Sequence, residues 1–234
     1  MEDLMTLLQQ VETQLDQKTY QPGAWQAFLR TARRQPRVAR QAIRDDVSRV
    51  SEKLHLRGGR RTMPVKTALI LEGAVTAGGV LLLVTGLARS SPVLVLAAAG
   101  TLSFTAQPLI KTTLARLLGV RYAYAYLQYI EPRFKMHYGT YLASPRWKRV
   151  LVQLGGTPGS PLAFALVGIV SSRRTPQAAS ICGKLAWLTV VLQVFPFSAG
   201  LLGVHSLGPL KITTGTSAGA AAHELREGWL LGLG

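Results

Sequence analysis

Residues 67–88 form a run of 22 residues with one charge, Glu72. At ~1.5 Å per helical residue the run is roughly 33 Å long, the thickness of a bilayer's hydrocarbon core. Three further apolar runs follow, at 92–110, 150–170 and 185–204. Inside lipid the backbone must satisfy its own hydrogen bonds, so such runs are expected to be helices. The tetrapeptide RSSP at 89–92 turns the first two into a tight hairpin. An all-α, multi-pass membrane protein with four transmembrane helices is the expectation.

The third run is interrupted. GGTPGSP places Gly155, Gly156, Pro158, Gly159 and Pro161 near its middle, where Pro removes a backbone donor and Gly weakens the helix. The alternative architecture is therefore three spans plus a re-entrant segment. In that version the C-terminal tail lies outside, and Lys184 reaches a depth comparable with Glu72. The length of the third run favours four crossings.

Charge is segregated from this apolar material. Mean hydropathy is +0.21 and only 16% of residues are charged, yet the formal net charge is +16. Thirteen of the 27 basic residues fall within 1–66 and eight within 111–149. Basic segments flanking spans resist translocation, so both should lie on the cytoplasmic side, or its organellar equivalent, of a plasma or inner membrane. A soluble nucleic-acid binder would interleave the two properties, and nucleic acid is disfavoured as a partner. The N-terminus is acidic and amphipathic, without a basic region preceding an apolar stretch, so no cleavable signal peptide is expected. The single Cys182 allows no intramolecular disulfide.

Residues 1–63 read as a cytoplasmic, basic helical cap. Leu4, Leu8, Val11 and Leu15 mark one helical stripe, a second helix fits 24–34, and Ile43, Val47, Val50 and Leu54 mark a third beginning near Pro36. So small a bundle is marginal alone and would lean on the membrane or a partner. Residues 64–204 form the transmembrane domain, and 205–234 a Gly/Ala-rich tail.

The segment 111–149 holds six of the seven tyrosines. YAYAY alternates like a strand, but a lone strand at a membrane surface leaves its backbone unpaired. The expectation is helix, with Tyr122, Tyr126 and Tyr129 on one face. Tyrosine rings and long cationic side chains share a preference for the lipid interface. Tyr122, Tyr126, Tyr129, Arg133, Lys135, Arg146, Lys148 and Arg149, with juxtamembrane Arg57, Arg60 and Arg61, are therefore the expected contacts to anionic headgroups or a partner. YIEPRFKMHYG also offers a carboxylate, two cations and an imidazole in one segment, without forming a motif.

Glu72 and Lys184 are the candidate intramembrane charges; Glu72 serves either proton or cation handling, or a contact to Lys66 and interfacial water. Gly73, Ala77, Ala74 and Gly78 at four-residue spacing permit close helix approach, within the fold or between copies. His223-Glu224 begins an HExxH-like pattern that lacks its second histidine, and no Cys/His cluster has ligand spacing. No catalytic residue, metal site or cofactor is expected. The functional expectation is a non-enzymatic interaction or assembly factor, with a small transporter or channel component, using Glu72 and the 155–161 break, as the alternative.

Overall fold

Leu4, Leu8 and Val11 are buried along helix α1 (Glu2–Asp16) in the computed structural model, which describes residues 2–21, 23–59, 61–128, 131–204, 206–207, 210–211 and 216–230. The chain is mostly helical. It divides into two compact units, Met1–Val65 with Arg116–Arg149, and Lys66–Ala115 with Val150–Gly234.

In the first unit, α2 (Ala24–Arg34) buries Trp25, Phe28, Leu29 and Ala32. The third expected helix breaks at Ile43 into α3 (Arg37–Ala42) and α4 (Arg44–Leu56), and its seam still buries Ile43, Val47 and Val50. Arg49 of α4 bonds Glu12 of α1 at 2.7 Å and Asp46 of its own helix at 2.7 Å, while Lys53 lies 2.7 Å from Glu12 and 3.0 Å from Asp16, both on α1. Their cations are exposed, so solvent screens each pair and little stability comes from it. Full burial of a side chain such as Phe28 contributes about 1.5–3 kcal/mol, so the apolar seam dominates.

Leu142 belongs to this same core, with Tyr138 packed against it. Both lie on α7 (Tyr138–Ala143), within the tyrosine-rich segment. Tyr138 stands edge-on to Trp25 at 5.8 Å. The cap therefore completes its core with a distant part of its own chain.

The helical expectation for the tyrosine stretch is overturned. β2 (Tyr122–Gln128) pairs antiparallel with β3 (Glu131–Met136) and with the short β1 (Thr62–Met63), in the order β1-β2-β3. The objection to a lone strand fails because β2 has a partner on each side. Pro132 is tolerated because β3 is an edge strand. The all-α expectation gives way to a mostly helical chain with this small sheet.

In the second unit, α5 (Val65–Ala88) and α6 (Pro92–Leu117) form the expected hairpin. Pro108 lies inside α6, which continues to Leu117. α8 (Arg146–Leu154) and α9 (Gly159–Ser171) are bent by 44° across the Gly/Pro break. α10 (Pro176–Leu202) starts nine residues before the apolar run, and Pro196 lies within it. Val95 and Ala99 of α6, Phe164 and Val167 of α9, and Ala178 and Cys182 of α10 form one core. Three helices, α5, α6 and α10, are long and apolar enough to cross a membrane, and α8 with α9 could together make a fourth. No more than 28% of the apolar window of any of the three is buried in the protein. Ile70, Leu81, Val93, Trp187 and Leu202 are each at least 67% exposed, a surface suited to lipid.

Short strands β4 (Ser206–Leu207) and β5 (Leu210–Lys211) pair, and the tail then forms α11 (Ser217–Leu230) against α10. Small residues make that approach possible: a Cβ on Gly200 would lie 2.8 Å from Ala222 Cβ and 2.9 Å from the Gly219 carbonyl oxygen.

Candidate functional site

The register of the hairpin assigns the aromatic and cationic side chains to faces. Tyr124 lies opposite Lys135, and Tyr126 opposite Arg133. A register shift between Tyr122 and Tyr124 moves Tyr122 to the other face, opposite Met136, where its ring meets Phe134 at 5.8 Å. Tyr124 and Tyr126 converge instead on His55 of α4. The His55 Nδ1 is 2.9 Å from the Tyr124 hydroxyl, and the Tyr126 ring stands edge-on at 4.5 Å.

Several expected surface cations are committed to the fold. Lys135 donates to Ser51 Oγ at 2.9 Å. Lys148 donates to the Leu118 carbonyl at 3.3 Å, just beyond the end of α6, where a cation complements the helix dipole. Arg149 departs furthest from its expected role: it is 5% exposed and its Nη1 donates to the Leu142 carbonyl at 3.3 Å, satisfying an acceptor near the end of α7. Arg57, Arg61 and Arg133 are exposed, and Arg57 lies over the Tyr20 ring at 5.4 Å. Arg146 is half-buried. Arg60 and Tyr129 lie outside the described residues.

The first unit carries 19 basic and 8 acidic residues, net +11, so most of the chain's +16 is gathered there. Hydrogen bonds to Glu12 and then Asp16 raise the Lys53 pKa. Burial raises that of Tyr122, outweighing the opposing influence of the nearby Arg116 charge, so its phenol keeps its proton well into the alkaline range.

In the second unit, Glu72 is 2% exposed and shares a buried stripe of α5 with Ala68, Gly79 and Gly86. Gly79 and Gly86 bring α5 against α6: a Cβ there would lie 3.0 Å from Leu102 Cδ2 and 2.9 Å from the Val95 nitrogen respectively. Lys184 is exposed on α10, so the two expected intramembrane charges occupy different environments. Gly73, Ala74, Ala77 and Gly78 are also exposed, so contact within the fold does not account for their spacing.

The Gly/Pro break is a packing junction. A Cβ on Gly159 would lie 2.6 Å from Gln107 Cα, one on Gly155 2.5 Å from Leu114 Cδ2, and one on Gly156 3.3 Å from the side chains of Gln107 and Lys111. Ser160 Oγ donates to the Ser103 carbonyl at 3.0 Å. Pro158 and Pro161 line an open, largely apolar groove of about 1080 Å³ formed chiefly by α9 and α10.

Sequence reasoning passed over Lys111. Its Nζ donates to Gln153 Oε1 at 3.2 Å and to Ser217 Oγ at 2.8 Å, tying α6 to α8 and α11. The available signal was a lone cation at the end of an apolar run. His223 Nε2 meets Glu227 at 3.2 Å along α11, and among the described residues no group of three His, Cys, Asp or Glu side chains is placed to hold a metal. Comparison of the chain with models of protein families, with curated proteins and with solved structures finds no match.

Proposed function

We propose that this chain is a non-enzymatic membrane interaction or assembly factor, which uses its basic first unit to hold anionic lipid headgroups at the cytoplasmic face. The observation that carries the reading is the net +11 of a unit whose Arg57, Arg61 and Arg133 are exposed. Basic side chains beside an anionic leaflet contribute about 1 kcal/mol each, and clustered they act together. The positive-inside preference supports a cytoplasmic N-terminus in this reading. Four crossings, counting the bent α8–α9 pair as one span, are part of the same reading.

Replacing Arg57, Arg61 and Arg133 together by Gln should weaken phosphatidylglycerol binding to the delipidated, detergent-solubilised chain by tenfold or more, on about 1 kcal/mol per charge. Native mass spectrometry across a lipid titration reads this directly. Wild-type affinity in the triple variant would refute the reading. The difference should shrink near 1 M salt, where the screening length falls to about 3 Å.

A second reading, a small transporter or channel component, draws on one observation, the burial of Glu72 within a 24-residue apolar helix. It requires Glu72→Gln to abolish ion-coupled flux in proteoliposomes. Flux equal to that of the parent would remove it.

A further inference from the structure

The first unit contains a cavity of about 490 Å³ lined by Arg116, Gly119, Val120, Arg121, Tyr122 and His137. At about 30 Å³ per water, that is room for a phosphate group and several waters. Its walls come from three places: the last turn of α6, the turn leading into β2, and the residue that follows β3. Gly119 makes the turn with φ +85, in the left-handed region that favours glycine. None of the six lining residues is acidic.

Two features make this more than a gap. Arg116 and Arg121 are both exposed, and guanidinium forks match phosphate oxygens in geometry as well as in charge. The Tyr122 ring adds an aromatic wall, its hydroxyl being buried away from the cavity. His137 is engaged by Glu52 of α4, its Nδ1 2.8 Å from Oε1, and serves as a wall. The negative end of α6 would repel an anion, but Lys148 already covers the Leu118 carbonyl.

We infer that this cavity binds a phosphate group, with Arg116 and Arg121 as its charged ligands. A phospholipid headgroup and a free phosphate present the same chemistry. The lipid arm of the inference rests on the proposed function, whereas the cavity itself is distinct from the Arg57, Arg61 and Arg133 surface.

The test uses the full chain in detergent, with inorganic phosphate and short-chain dihexanoyl phosphatidate as separate probes in equilibrium dialysis. The parent should bind one equivalent of phosphatidate. Binding of inorganic phosphate as well marks a general phosphate site; phosphatidate alone marks a lipid headgroup site. Removing a charge-assisted hydrogen bond should weaken binding about tenfold, so the Arg116→Gln, Arg121→Gln double variant should lose at least that much. Binding of neither probe, or affinity of the double variant within about twofold of the parent, would overturn the inference. If Arg57, Arg61 and Arg133 prove necessary for phosphatidylglycerol while the double variant keeps parental affinity for phosphatidate, the cavity falls and the proposed function stands. If the double variant loses phosphatidate while that triple variant keeps phosphatidylglycerol, the reverse holds.

Discussion

Gly139→Ala should destabilise the first unit by about 3 kcal/mol or more, the upper range for overpacking. Gly139 lies on α7 against the first turn of α4, and a Cβ there would run into the Arg44 carbonyl oxygen and lie 2.8 Å from Ser48 Oγ. Those two atoms are fixed to one another, since Ser48 Oγ donates to the Arg44 carbonyl at 3.0 Å and accepts from the Gly139 N–H at 3.1 Å. Backbone cannot rotate aside as a flexible side chain can, so relief requires moving α7, which withdraws Tyr138 and Leu142 from the core. For a unit this small, 3 kcal/mol is a large fraction of its stability. Hydrogen exchange should find the amides of α4 and α7 deprotected in the variant, and protection equal to the parent would contradict the packing described.

In the second unit, Gly159→Ala should cost about 3 kcal/mol for the same kind of reason. The added Cβ would lie 2.6 Å from Gln107 Cα and 2.7 Å from the Gln107 nitrogen, so the N-terminus of α9 would have to part from the α6 backbone. That motion strains the Ser160 bond to Ser103. Gly73→Ala and Gly78→Ala provide the contrast, because a Cβ at either position meets nothing within 4 Å. On helix propensity alone each should be neutral or stabilising by up to about 1 kcal/mol. Thermal unfolding in detergent, followed by circular dichroism, should rank the three variants in this order. A loss at Gly73 or Gly78 equal to that at Gly159 would contradict the account.

The apolar helices were legible because their signal is carried by contiguous residues. The seams Leu4–Leu8–Val11 and Ile43–Val47–Val50 were legible because a 3.6-residue period survives even where α3 and α4 break apart. The tyrosine stretch was misread for want of a partner: YAYAY is a strand by alternation, but its pairing depends on β1, which lies some sixty residues earlier, and on β3, whose Pro132 resembles a break. Arg149 was read as a surface charge because arginine usually is one; its use by the Leu142 carbonyl is a contact that spacing does not announce. Of the candidate site, the basic surplus was visible in the composition, whereas Tyr122 joins the cavity wall from a face that a register shift separates from Tyr124 and Tyr126.

The central claim is that lipid solvates the outer faces of α5, α6 and α10, and alkaline carbonate extraction of membranes containing the chain tests it most directly. The account predicts that the protein stays with the sedimented bilayer and leaves it only on addition of detergent. Quantitative release into the carbonate supernatant as a monodisperse species, with no amphiphile present, would contradict it.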